Sequence, residues 1–336
     1  MNKIIATQFL IGFLSYFSIN AQPSIERNKL VDYHVHIFSP ELISNLSIQG
    51  IDFKQSGFQV IKEKKSYSNI SEISTENNYS KMVLISVGYA YKDINGTQSE
   101  KYFVEKENNL LAKIIKSNPD KLLGFYGINP LKEYAIEEIK RCDEELKLDG
   151  IKLHLQSNKL NLKDSTHLFK LKQVFQLADK KKIPILIHNN TWDKNFGKEY
   201  FKIFEKEILN NFDSLTIIFA HVGGGGGFHQ FGYDFLNEFN IYFQKNENKK
   251  KHKIYFELSA TVKIRKYSKE KTNTELLQLM KEIGYDKFLF GSDYPVKNSP
   301  TYFDELFNIL NIDADILNEI AERDIFNDLS KSKRSE

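Results

Sequence analysis

The chain has 336 residues, 41% of them apolar and 27% charged, with 26 Phe and 17 Tyr. That is enough apolar mass for a large core and excludes wholesale disorder. The balance of 47 Lys and Arg against 44 Asp and Glu, a net charge of +3, gives no case for a nucleic-acid binder, and a single cysteine, Cys142, excludes an internal disulfide framework or a cysteine-rich metal site.

Residues 1–21, MNKIIATQFLIGFLSYFSINA, have the layout of a secretory signal peptide. Lys3 is a short basic start, an apolar run follows to about Ile19, and Ala21 offers a small residue for cleavage. The competing reading is an uncleaved anchor, but the run is short for about 30 Å of hydrocarbon. A secreted or periplasmic protein is expected, with no membrane span after cleavage and with Cys142 a lone thiol in an oxidising compartment. Residues 22–29 are expected as a linker, 30–326 as one domain and 327–336 as a disordered tail.

Short β-branched and apolar runs alternate with amphipathic stretches over the rest of the chain. Strands are predicted at 30–36, 82–88, 122–128, 150–155, 183–188, 215–221, 254–260 and 287–293, with helices among them at 133–147, 167–181, 198–210 and 273–283. Eight strands with intervening helices argue for parallel βαβ units closed into an α/β barrel, a (β/α)8 or TIM barrel. The rival, a doubly wound open sheet, lacks a GxGxxG after its first strand. Residues 39–80 are polar and irregular and read as an insertion after strand 1, placed over the barrel mouth as a lid. The run 245–253 reads as a solvated loop.

Five of the eight histidines fall at the C-terminal ends of predicted strands: His34 and His36 on the first, His154 on the fourth, His188 on the fifth and His221 on the sixth. In a closed barrel these ends converge on the face where active sites form. His167, His229 and His252 fall on helices or loops and are expected at the surface. Strict alternation along strand 1 puts Asp32, His34 and His36 on one side, facing the interior. Buried polar groups need partners, and a divalent metal would supply one for imidazoles so placed. The bland alternative is a pair of surface histidines on an edge strand. Asp293 follows Phe288, Leu289 and Phe290, so its carboxylate emerges where strand 8 leaves the core; it could serve a metal-bound water or simply cap the turn before Pro295. The five glycines at 223–227 permit close backbone approach to a ligand and also an ordinary helix entry.

DxHxH at 32–36, His188, HxGG at 221–224 and GSDYP at 291–295, one motif per expected strand, together resemble the amidohydrolase superfamily and, within it, the amidohydrolase-related branch of metal-dependent (β/α)8 hydrolases. The strand-four run GIKLH at 150–154 and the helix at 316–326 are similar to that branch too. The resemblance implies a divalent ion, zinc first and Mn2+ or Fe2+ as alternatives, held by His34, His36, His188 and Asp293. It implies that Asp293 is also the proton acceptor, with His221 catalytic and in contact with substrate. Lys152, His154 and Asn189 are expected to bind substrate; for Lys152 a carbamate bridge and a buried ion pair with Asp32 or Glu257 are the alternatives. Glu257, Ser259, Asn190 and Trp192 are further candidates for the pocket. The expected activity is hydrolysis of a small lactone, amide or ester by a metal-activated water. A metal-dependent non-oxidative decarboxylase of an aromatic or unsaturated acid is the alternative, and a non-catalytic binding barrel the second alternative. The partner is a small-molecule substrate, and a homo-oligomer is left open.

Overall fold

The computed structural model describes residues 29–51, 68–77, 79–93, 100–193, 195–245, 252–262 and 273–331. The signal-peptide reading at 1–21 and nearly all of the expected linker lie outside these residues. Among the described residues no helix is long and apolar enough to cross a membrane.

Each predicted strand is present: β1 (Val31–Ile37), β2 (Lys81–Ser86), β3 (Leu122–Ile128), β4 (Gly150–His154), β5 (Ile185–His188), β6 (Thr216–Phe219), β7 (Lys253–Glu257) and β8 (Phe288–Leu289). They run parallel in chain order in one eight-stranded sheet. β8 comes back to β1, where Tyr33 N donates to Phe290 O at 3.0 Å and His36 N to Tyr294 O at 2.9 Å. The result is a (β/α)8 barrel, as expected.

The helices are α1 (Pro40–Ile48), α2 (Ile70–Asn77), α3 (Glu100–Ile115), α4 (Ala135–Glu144), α5 (Ser165–Lys181), α6 (Gly197–Phe204), α7 (Gln230–Lys245), α8 (Asn273–Ile283), α9 (Ser299–Leu310), α10 (Ala314–Glu322) and α11 (Phe326–Leu329). Local chemistry sets several of their ends. Asp164 caps α5 by accepting from Thr166 N and His167 N, and Asn298 caps α9 by accepting from Thr301 N, with a proline in the first turn. The predicted helix at 198–210 is α6 continued by one wide π turn, Glu205–Leu209.

The strands carry two apolar faces. Leu84, Ile151, Ile187, Phe219 and Phe256 belong to the layer between sheet and helices, whereas Val31, Tyr33, Val83, Ile85, Leu123, Phe125, Leu186, Ile218 and Leu289 form a separate cluster inside the barrel. Phe326 and Leu329 of α11 join that inner cluster and close the N-terminal floor. The disordered tail expected from 327 is therefore corrected for 327–331: Leu329 is fully buried, and Lys331 N donates to Asp149 Oδ1 at 3.0 Å. The insertion after β1 is present, but its irregular reading is corrected, because its described parts include α1 and α2; residues 52–67 lie outside the described ones. Of the expected loop at 245–253, residues 246–251 are also outside, and Lys253 already belongs to β7.

Candidate metal centre

The strict alternation expected for β1 fails at one point. Its pairing with β2 matches Asp32 with Met82 but Val35 with Leu84, so β1 carries one extra residue. Such a bulge re-aims side chains. Val31 and Tyr33 point into the barrel, and beyond the bulge His34 and His36 do too, while Val35 and Ile37 face the helices. Asp32, expected beside the histidines, instead accepts from His34 N, Ser292 N and Ser299 Oγ.

His34 Nε2 and His36 Nε2 lie 3.0 Å apart, and Asp293 Oδ1 is 3.4 Å from the first and 3.3 Å from the second. Donors sharing one ion at about 2.0–2.2 Å are spaced by about 3 Å, so these three atoms are set for a common cation. Glu257 orients the first ligand: its Oε1 accepts from His34 Nδ1 at 2.8 Å. His34 Nε2 then carries a lone pair, and its approach to a carboxylate oxygen brings two acceptors together, a repulsion that a cation between them removes. Glu257 is fully buried and is itself held by Ser259 Oγ at 2.8 Å, Ser259 N at 2.7 Å and His221 N at 2.9 Å. Gly291 leaves room for this carboxylate; a Cβ there would come within 2.5 Å of Glu257 Oε2 and 3.0 Å of His34 Cβ.

His221 points its Nδ1 at the Ser259 carbonyl, 2.8 Å away, which leaves Nε2 facing His188 Nδ1 at 3.1 Å. His188 in turn stacks on His154, with ring centroids 3.8 Å apart. The loops leaving β6, β7 and β8 carry left-handed backbone at His221, Val222, Ala260 and Asp293. For non-glycine residues that conformation is strained, most of all for β-branched Val222, and such strain clusters where side chains must be aimed precisely.

Burial lowers the pKa of His34 and His188 well below the ordinary histidine value, and that of His36 less far because Asp293 pulls it back. The rings are thus neutral, as ligands must be. Burial opposes ionisation of Asp293, but the hydrogen bond from His36 and the nearby His34 and His221 outweigh it and hold the carboxyl well below the usual carboxylate range. Lys152 is fully buried with Nζ 3.4 Å from His34 Nε2. Burial pushes its pKa down to about 7 against the pull of Glu257 and Asp293. The alternative ion pair with Asp32 or Glu257 is not formed, since Glu257 pairs with His34.

Among the described residues two groups have metal-ligand spacing, His34–His36–Asp293 and His34–His221–Glu257. In the second, the nitrogens facing Glu257 are the Nδ1 atoms already engaged with Glu257 and Ser259, so the first is the better candidate for a metal site. His188 stands outside both and reaches the cluster through His221. Asn189, expected to bind substrate, spends its amide within the protein, donating to Gly223 O at 2.9 Å and accepting from Tyr200 OH at 3.3 Å. Asn190 donates to Leu160 O, and Trp192 is exposed. The three remaining histidines are half-buried rather than at the open surface, each bonded to backbone: His167 to Asn161 N, His229 to Gly226 O and His252 to Leu215 N and Leu209 O.

Eight parallel strands thus bring buried histidines and a carboxylate together at their C-terminal ends, in a group whose spacing fits a metal ion. The chain belongs to the amidohydrolase family, whose model matches residues 31–328. No curated protein matches it. Among solved structures it is similar to 5-carboxyvanillate decarboxylase from Novosphingobium aromaticivorans, solved with manganese and 4-hydroxy-3-methoxy-5-nitrobenzoic acid (14% identity, TM-score 0.59, covering 91% of this chain and 96% of that one). It is similar also to dihydroxybenzoic acid decarboxylase from Polaromonas sp. JS666, solved with manganese and 2-nitroresorcinol (18%, TM-score 0.55, 87% and 94%). A third is 4-oxalomesaconate hydratase from Rhodopseudomonas palustris (16%, TM-score 0.54, 90% and 96%). At these identities the likeness shows a shared fold. The expectation of lactone, amide or ester hydrolysis is corrected here: the similar structures are mostly those of decarboxylases, and they favour the alternative over the hydrolase.

Proposed function

We propose that the protein is a metal-dependent, non-oxidative decarboxylase acting on an aromatic or unsaturated acid. The observation that carries this reading is the fully buried Lys152 beside the His34–His36–Asp293 cluster, with no carboxylate within ion-pair distance among the described residues. A buried amine next to a metal centre calls for an anion to offset both charges, and a substrate carboxylate is one. The solved relatives named as decarboxylases support the same reaction, and their manganese makes Mn2+ the first choice here, ahead of zinc.

His34, His36 and Asp293 would hold the ion, with His188 proposed as a further ligand; when bound, it supplies Lewis-acid stabilisation of negative charge on the substrate. Lys152 pairs with the carboxylate. His221 carries the proton: with Nδ1 committed to the Ser259 carbonyl, its protonated ring carries an Nε2–H, which turns from His188 Nδ1, 3.1 Å away, to the substrate. That proton passes to the carbon bearing the carboxylate. The C–C bond to the carboxylate then breaks, its electron pair restores the conjugated system, and CO2 leaves. His221 is left neutral and regains its proton from water. Asp293, held ionised, acts as ligand and not as acid. The stacked pair His154–His188 lies beside this group.

Purified protein loaded with Mn2+ is expected to release CO2 from 2,6-dihydroxybenzoate or 5-carboxyvanillate, read as gas evolution alongside loss of the acid. Opening of lactones or amides without CO2 release would overturn the reading, as would absence of any stoichiometric ion in the active protein.

A further inference from the structure

At the bulge in β1, where the pairing with β2 passes from Asp32 to Val35, the N–H of His34 turns to a side chain. Ser292, one residue before Asp293, lies beyond the end of β8. One oxygen serves both: Asp32 Oδ1 accepts from His34 N at 2.9 Å and from Ser292 N at 3.0 Å. The other oxygen, Oδ2, accepts from Ser299 Oγ at 2.7 Å, at the first residue of α9. Ser299 passes the connection on, its N and Oγ reaching Asn77 Oδ1 at 3.0 and 3.1 Å, at the end of α2 in the insertion. Asp32 is fully buried and touches none of the three ligand atoms.

We propose that Asp32 is the positioning residue of the metal centre: a single carboxylate that fixes the distance between the strand carrying His34 and the loop carrying Asp293, and ties both to the insertion through Ser299 and Asn77. The inference rests on the metal-centre reading for one of its two readouts. A buried N–H must find an acceptor, and a shared acceptor locks two backbones to each other. The role needs the acceptor oxygen and not the charge. In Asp32→Asn the remaining oxygen can still take both N–H groups, while the new amide donates to Ser299 Oγ, whose hydroxyl turns to Asn77 Oδ1. In Asp32→Ala both N–H groups are left unpaired.

The test compares Asp32→Ala, Asp32→Asn and Ser299→Ala by two measurements. One is the Mn2+ dissociation constant; the other is the imidazole 15N signal of His34 in metal-free protein. Asp32→Ala should weaken Mn2+ binding about 10–100-fold, the range for losing an outer partner of a ligand, and should shift the His34 signal. Asp32→Asn should stay within about threefold of the parent, and Ser299→Ala, which keeps both backbone bonds, should fall between the two. Should Asp32→Ala fail to fold, Ser299→Ala and Asp32→Asn still decide. The proposal is overturned if Asp32→Asn weakens binding as much as full removal of a ligand partner, or if Asp32→Ala leaves the His34 signal and the Mn2+ affinity unchanged. If the parent protein itself binds no Mn2+, the enzymatic reading falls, while the His34 signal still judges Asp32.

Discussion

The two ends of the barrel are built from the same eight strands to opposite specifications. At the floor, Val31, Val83, Leu123, Leu186 and Leu289 pack against one another and are sealed by Phe326 and Leu329 of α11. Tyr33 OH contributes by donating to Arg323 O and accepting from Ile325 N. At the mouth the same inward positions carry His34, His36, Lys152, His188, Glu257 and Asp293, and the connecting loops hold strained left-handed residues. The difference teaches where each property resides. The floor is apolar and replaceable only at a cost in stability; the mouth is polar and replaceable only at a cost in chemistry.

Substitutions at the mouth should give the largest effects. His34→Ala removes one of three converging ligand atoms, so stoichiometric Mn2+ should be lost, by metal analysis, and turnover with it. His221→Ala should keep the metal and lower turnover by about 10²–10⁴, the usual contribution of a proton donor. If His221→Ala also releases the ion, the separation of ligands from the proton donor breaks down.

At the floor, Phe326→Ala should cost about 3–5 kcal/mol of unfolding free energy, the range for truncating a buried aromatic. Urea titration gives that loss, and turnover per folded, metal-loaded molecule should be unchanged. A floor variant that alters turnover at full metal occupancy would show that the two ends are coupled.

The smallest effect concerns pH. In metal-free protein, burial holds the pKa values of His34, His36, His154 and His188 below the ordinary 6.5. The unfolded chain takes up protons that the fold refuses, so this stability is present above about pH 6.5 and is lost as pH falls toward the lowered values. Glu107 of α3 works in the opposite sense. Burial pushes it up to about 7 despite the hydrogen bonds from Ser39 and Tyr91, so its contribution is full below its ordinary 4.5 and is lost as pH rises through about 7. The urea midpoint should therefore fall between about pH 7.5 and 5, and should fall further in Glu107→Gln, where one of the opposing acids is gone while Asp32, raised to about 6 by burial, remains. A flat midpoint would argue that the histidines are not buried neutral.

The fold was legible because βα alternation is local: each strand is a short apolar run and each helix an amphipathic one, so all eight strands could be placed from neighbours in sequence. The histidines were legible as a set because strand ends share a face in any barrel. The bulge was not, since the alternating run from Asp32 to His36 looks regular and only the pairing with Met82 and Leu84 reveals the extra residue. Glu257 was visible as a lone acid in an apolar strand, but its bond to His34 spans 223 residues, and no local pattern encodes such a contact. The burial of α11 was hidden for the same reason, because a short apolar tail acquires meaning only from the cavity it fills.

The extra residue in β1 has a consequence for how this architecture tolerates change in length. A strand with period two can serve only one inward-facing series, yet β1 presents Tyr33 downward and His34 upward from adjacent positions. Removing a single residue on the floor side of His34 would rotate both imidazoles outward among the helices while leaving every amino acid type in the pocket intact, so chemistry here hangs on the count of residues along one edge as much as on their identity.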